Sequence, residues 1–325
     1  MSTRMISLER WLKNTLNLET IQLMPLTNDA SFRCYYRIAM DNTSFVVMDA
    51  PPDKENSLPF FKVAENLRAV GLNAPQIIAH DLEQGFLILT DFGSEHYLSA
   101  LSNGQVDNLY CDALEALVIM QTHTKMDLPL YSYRLLHEEM NLFIDWLVNA
   151  HLSLSLSPVE KVNLADCFEQ LSQMALAQPQ VFVHRDYHSR NLMVVPQRNP
   201  GILDFQDAVK GPVTYDVVSF LRDCYIALPQ EKVTQWVTYY YELALKADIL
   251  QNVNKQQFLM WFDWMGIQRH LKASGIFARL YRRDGKTGYL KDIPRTLQYI
   301  VTVSSHYPSL MPLYKIVKER VLPAC

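Results

Sequence analysis

The chain has 325 residues, room for two domains or one two-lobed unit, and 49% hydrophobic with 20% charged residues excludes a disordered or fibrous protein. Thirty Lys and Arg against 34 Asp and Glu leave a net charge of −4 without a strongly basic half, which excludes a phosphate-tracking nucleic-acid binder. No apolar run approaches the ~18 residues of a membrane span, and Met1–Arg10 holds no signal-like apolar core. Five cysteines, odd in number, form no CxxC pair. The expectation is a soluble cytoplasmic protein, a monomer with no nucleic-acid or membrane partner and neither disulfides nor zinc.

Along the chain, Phe45-Val46-Val47-Met48 is a compact apolar run stopped by Asp49-Ala50-Pro51-Pro52, which predicts a strand ended by prolines. Phe61 to Val70 carries Val63, Leu67 and Val70 at helical spacing, with Gly71 as the stop. Gly85 to Thr90 predicts a second buried strand, ending at Asp91-Phe92-Gly93. Beyond Gly93 the pattern is helical, so the lobe boundary is placed there, giving residues 1–93 and 94–325. Leu135 to Leu154 and Pro158 to Leu176 predict helices. The second opens with Ser157-Pro158-Val159-Glu160, a reciprocal serine–glutamate cap with proline where a missing N–H is harmless.

The chemistry concentrates in Val183-His184-Arg185-Asp186-Tyr187-His188-Ser189-Arg190-Asn191 and, after two short apolar runs separated by Pro196 to Gly201, in Leu203-Asp204-Phe205-Gln206-Asp207. The runs predict a hairpin that brings Asn191 and Asp204 to its paired ends. A hard cation bridging nucleotide phosphates takes one or two protein oxygens, here Asn191 and Asp204 as Mg²⁺ ligands. A carboxylate off that metal, Asp186, accepts or orients the proton of an attacking hydroxyl. The order His-x-Asp-x4-Asn, hairpin, Asp-Phe is that of a kinase catalytic loop and metal strand. His184 packs under the loop, and Asp216 caps the helix it opens and hydrogen-bonds the loop backbone.

On these residues the chain resembles the aminoglycoside phosphotransferase-like branch of the protein-kinase-like fold. With Asp29-Ala30-Ser31-Phe32-Arg33, Met48-Asp49-Ala50-Pro51-Pro52, Gln268-Arg269-His270-Leu271-Lys272 and Arg283-Asp284-Gly285-Lys286, it is similar to the bacterial anomeric kinases of N-acetylmuramate and N-acetylglucosamine, which act in cell-wall sugar recycling. The resemblance implies an α+β two-lobed fold, a small β-rich N-lobe and a larger mostly helical C-lobe, with ATP and Mg²⁺ serving transfer to a sugar 1-hydroxyl. It implies nucleotide contacts at Asn28, Ala30, Ser31, Arg33 and Thr90. Two departures stand out. Residues 25–37 hold no glycine, so backbone amides and the Ser31 hydroxyl replace a Gly-rich loop. The strand Val46-Val47-Met48-Asp49 carries no phosphate-pairing lysine; Arg33 is the candidate substitute or an ordinary strand charge.

The acceptor is expected on the helix from about Lys255 to Ala273. Phe258, Trp261, Phe262 and Met265 form an inward stripe that continues as Gln268, Arg269 and Lys272. Buried charges need partners, so this end either lines a wet or ligand-filled cleft or emerges into solvent. Gln206, Asp207, Gln268, Arg269 and Lys272 are the acceptor candidates; His188 either joins them or packs the loop. The rival readings are a kinase of an aminoglycoside, choline- or homoserine-like hydroxyl, and a pseudokinase that binds without transfer.

Overall fold

Seven-residue strands need partners on both edges, and the first third of the chain supplies them from its own hairpins. The computed structural model describes residues 3–26, 32–40, 43–102 and 106–325. In chain order come α1 (Thr3–Leu16), β1 (Met24–Pro25), β2 (Cys34–Met40), β3 (Thr43–Asp49), α2 (Leu58–Ala69), β4 (Ile77–Asp81) and β5 (Phe86–Thr90). The strands form an antiparallel sheet in the order β1-β2-β3-β5-β4, with Val47 facing Tyr36 on one side and Ile88 on the other. Leu8 and Leu12, one turn apart on α1, bury completely against Ile38, Val47, Phe86 and Ile88. Each such side chain is worth ~1.5–3 kcal/mol of burial. Arg4 of α1 ties the sheet's edge: its Nε donates to Asp49 at 2.8 Å and its Nη2 to the Gln84 carbonyl at 2.8 Å.

The predicted strand and helix of this region form as β3 and α2. On α2, Phe60, Val63, Ala64 and Leu67 make the buried i, i+3, i+4, i+7 face, and Gly71 follows at φ 87°.

The remainder runs α3 (Tyr97–Ser102), α4 (Val106–His123), α5 (Tyr133–Leu142), α6 (Pro158–Leu176), β6 (Gln180–Val183), β7 (Leu192–Met193), β8 (Gly201–Ile202), β9 (Val209–Pro212), α7 (Tyr215–Leu221), α8 (Gln230–Lys246), α9 (Lys255–Asp284), α10 (Ile293–Ser304) and α11 (Met311–Ile316). Strands β7 and β8 are the expected hairpin.

The chain packs as two units: residues 1–95 with Met193–Asp207, and His96–Leu192 with Ala208–Cys325. A single cut at residue 93 leaves Met193–Asp207 with the helices; packing puts it with the sheet. Asn73 Nδ2 donates to the carbonyls of Gln197 and Arg198 at 2.6 and 2.9 Å, and Ile202 N donates to the Asn73 carbonyl at 2.7 Å. Phe205 stacks on Phe60 with centroids 4.9 Å apart.

In the helical unit α9 is the central element. Its Ile267, Leu271, Phe277 and Ala278 bury among Met140, Phe143, Leu164, Phe168, Leu297 and Ile300. This helix runs eleven residues past the expected end at Ala273. Gly275, which reads as a weak point, is where α9 meets the end of α5 backbone to backbone: a Cβ there would lie 2.3 Å from the Leu142 carbonyl carbon. The stop is Gly285, left-handed at φ 68° with its N–H bonded to the last turn.

The predicted helix over 135–154 instead starts at Tyr133 and passes into π-helical turns from Phe143 to His151. At α6 both halves of the serine–glutamate cap form: Glu160 N donates to Ser157 Oγ at 3.3 Å, and Ser157 N donates to the Glu160 carboxylate at 2.7 Å.

Candidate active site

In the helical unit, β6 pairs with β9 in a register that sets Val183 opposite Val209, and the chain then enters the loop His184–Asn191. Such a loop has no ladder of its own, so its backbone groups need side-chain partners. Asp216, buried at the start of α7, supplies two: its carboxylate accepts from the N–H of His184 at 2.7 Å and of Arg185 at 3.0 Å. This is the supporting role expected of it. Burial pushes the Asp216 carboxyl up to about 7 against those two bonds. Asp223 Oδ2 accepts from both N and Oγ of Ser189, at 3.0 and 2.6 Å. His184, fully buried, receives the Asp186 N–H on Nδ1 at 3.3 Å, consistent with its place under the loop.

Asp186 emerges half-buried from this cradle. Burial alone would raise its pKa, but the charges of Lys272, Arg269 and Arg185 outweigh it and hold the carboxyl below its usual range. Asn191 follows with its Nδ2 donated to the Asp186 carbonyl at 3.0 Å, which fixes the amide's orientation. The preceding Arg185 has φ 76°, a conformation non-glycine residues seldom hold without support. Its support is Glu139, which takes the Arg185 guanidinium, Lys272 Nζ at 2.9 Å, the Tyr131 hydroxyl and Gln268 Nε2 at 3.3 Å. Burial would raise the Glu139 carboxyl; the two cations hold it low.

A cleft beside Asp186 encloses ≈ 70 Å³ within this unit. His188, Tyr215, Arg269 and Lys272 are its other polar walls, and Cys224, Tyr225, Ala273, Ile276 and Phe277 its apolar ones. The inward polar end of α9 thus lines a cleft rather than emerging into solvent, and Arg269 and Lys272 are both nearly buried, 6% and 8% exposed. They differ in partners. Lys272 is paired with Glu139 and the Tyr215 hydroxyl, 2.9 Å away. Arg269 has the Cys224 thiol at 3.7 Å, and no carboxylate among the described residues forms an ion pair with it. His188 lines the cleft with its ring edge-on to Tyr225, centroids 5.3 Å apart, its imidazole held below the usual pKa by burial. Gln268 is absent from the cleft wall, being buried against Glu139.

The sheet unit carries Asp204, two residues past β8, at φ 61°. Gln206, nearly buried, donates Nε2 to Asp204 Oδ1 at 2.7 Å, so it orients that carboxylate; Asp207 is exposed. Arg33 is buried and pairs with Glu55 at 2.9 Å, so its charge is already neutralised. The Thr90 hydroxyl accepts from Gln76 N at 2.9 Å. Asn28, Ala30 and Ser31 lie outside the described residues. Asn191 in the helical unit and Asp204 in the sheet unit each carry an oxygen donor of the hard type Mg²⁺ takes. Among the described residues no cluster of three or more His, Cys, Asp or Glu could hold a metal, and no helix is long and apolar enough to cross a membrane.

Sequence reasoning passed over Glu139, Asp223 and Tyr225. For Glu139 a signal exists: Leu136, Glu139 and Met140 are the buried face of α5, an acid on an apolar stripe. That is the same sign that drew attention to Arg269.

The sequence is similar to known proteins over nearly its whole length. The N-acetylmuramate/N-acetylglucosamine kinase of Pseudomonas aeruginosa is 44% identical over 296 residues, 90% of this chain and 86% of that one. The Neisseria meningitidis protein of the same name is 40% identical over 324 residues, 98% and 96% of the two chains. Among solved structures, the choline kinase LicA from Streptococcus pneumoniae superposes with a TM-score of 0.66 at 11% identity, covering 93% of this chain and all of that one, which shows the protein-kinase-like fold. The sequence pattern of the phosphotransferase enzyme family spans residues 22–247, and the chain belongs to that family.

Proposed function

We propose that this phosphotransferase transfers the γ-phosphoryl group of ATP to the anomeric hydroxyl of N-acetylmuramate and N-acetylglucosamine, in the cytoplasm, as a step of cell-wall sugar recycling. The observation that carries the reading is the Asp186 carboxylate on the wall of a cleft that Arg269 and Lys272 also line. Relatives that bear this activity in their name match the chain end to end.

Asp186 accepts a hydrogen bond from the acceptor hydroxyl and aims its oxygen; a carboxylate held low in pKa orients first and takes the proton late. Lys272 and Arg269 keep it ionised. Asp216 and Asp223 hold the loop so that this geometry exists before the sugar arrives. Asn191 and Asp204 are the assigned Mg²⁺ ligands, with Gln206 orienting Asp204. Bound Mg²⁺ neutralises the charge that develops on the phosphoryl oxygens. Thr90, with the segment holding Asn28, Ala30 and Ser31, is assigned to the nucleotide; Arg33, spent on Glu55, is left to the fold. Arg269 is assigned to the lactyl carboxylate of N-acetylmuramate, and His188 to the sugar. Arg269 on the cleft wall disfavours cationic acceptors such as choline or an aminoglycoside.

The test is a panel of amino sugars and hydroxyl amines with ATP and Mg²⁺, read as ADP release, with product position assigned by phosphorus NMR. Anomeric phosphate on both N-acetyl sugars supports the reading. Phosphate on another hydroxyl, or turnover of cationic acceptors alone, refutes it.

A further inference from the structure

One face of α9 changes character along its length. Arg269, Lys272, Ala273 and Ile276 recur at i, i+3, i+4 and i+7, and all four line the cleft beside Asp186. The first two make a charged end. Ala273 and Ile276, with the adjacent Phe277, continue the face as an apolar end, Ile276 rising about 6 Å along the axis beyond Lys272, from four residues of rise. Tyr225 joins the apolar end, its ring 6.0 Å from that of Phe277. It is held in place by the Arg190 guanidinium 3.7 Å above its centroid. Ala273, Ile276 and Tyr225 remain partly exposed although the helix around them is buried.

Apolar surface left open at one end of a cleft, with charge at the other, fits an occupant that is itself divided: hydroxylated where it reacts, with a small apolar group beyond. The whole cleft encloses only ≈ 70 Å³, a water claiming ~30 Å³ in the liquid, so its apolar end suits a small group rather than a ring. Neither glutamine suited to an amide is directed at it: Gln268 is turned to Glu139 and Gln206 to Asp204.

We propose that Ile276, Phe277 and Tyr225 form an acyl subsite that receives the methyl end of the acceptor's N-acyl group. The subsite selects N-acylated over free amino sugars by apolar contact. This inference rests on the sugar-kinase reading above and names the part of the acceptor that the apolar end recognises.

The experiment measures kcat/KM of the full chain for N-acetylglucosamine, N-formylglucosamine and N-butanoylglucosamine, in wild type and Ile276→Ala. The formyl sugar lacks only the methyl, so wild type should turn it over roughly 3- to 10-fold less efficiently, the worth of one buried methyl. In Ile276→Ala that ratio should shrink to within about twofold and the butanoyl sugar should gain relative to the acetyl one. A general structural effect would lower all three sugars alike. The formyl comparison needs no variant, so misfolding of Ile276→Ala cannot hide the answer. Equal efficiencies for acetyl and formyl sugars in an active wild type overturn the subsite and leave the kinase reading standing. No turnover of any sugar by wild type overturns both.

Discussion

Lys272 reaches the cleft beside Asp186 already paired, its Nζ 2.9 Å from Oε1 of Glu139, whereas Arg269, one turn earlier on α9, has a thiol as its hydrogen-bond partner. Two cations that look equivalent on a helical wheel are therefore unequal. Arg269→Ala should cost N-acetylmuramate more than N-acetylglucosamine by about 10- to 150-fold in kcat/KM, the worth of one charged hydrogen bond at ~1.5–3 kcal/mol. Lys272→Met should lower both sugars together, since it removes one of the two cations that neutralise the buried Glu139. Steady-state kinetics with both sugars check this; equal losses in Arg269→Ala would reassign that arginine to the fold.

Asp186→Asn keeps the shape of the side chain and removes its charge. The rate should fall ~10²–10⁴-fold while sugar affinity, read by calorimetry, stays nearly constant. The loop should remain in place, because its backbone is anchored by Asp216 and Asp223. A variant within threefold of wild type would remove Asp186 from the reaction.

Asp204→Ala should abolish Mg²⁺-supported turnover, and Asn191→Ala, which loses a neutral oxygen, should be milder and partly restored by higher Mg²⁺. Because Asp204 sits at φ 61°, Asp204→Asn is the better control for the backbone: asparagine tolerates that conformation. Magnesium titrations of activity separate the cases. Full activity of Asp204→Ala at ordinary Mg²⁺ would displace the metal assignment.

The Arg320 bond and the Ser157 cap hold the Glu160 carboxyl down at about 2, against a usual value of 4.5. A carboxylate lowered by folding contributes stability that is present above the unfolded value and lost as pH falls through the folded one. Wild type should therefore lose stability between about pH 4.5 and pH 2 more steeply than Arg320→Met, with the two curves parallel above pH 6. Urea midpoints across that range provide the measurement. An unchanged acid limb in the variant would show that the pair contributes nothing, as many exposed pairs do.

What the sequence determined by itself is what neighbouring residues settle among themselves. The Ser157–Glu160 cap spans three positions and forms as read; the β3 strand stops at its prolines; the apolar stripe of α9 is a matter of 3.6-residue spacing. The loop His184–Asn191 and Asp204 stand out in the sequence because a phosphoryl-transfer site, the role proposed for them, draws on few residue types in a strict order. Only the tertiary structure decided the partners. Glu139 meets Arg185 at a separation of 46 residues and Gln268 at 129, and Asp223 holds Ser189 across 34. The same holds for backbone that packing overrides. Gly275 does not end α9, because the missing Cβ is what lets Leu142 approach, and the π-helical turns after Phe143 leave no mark on the residue pattern. Charge on a helix face is written in the sequence, but whether it is spent on a carboxylate, as in Lys272, or meets only a thiol, as in Arg269, depends on which distant side chain the fold brings beside it.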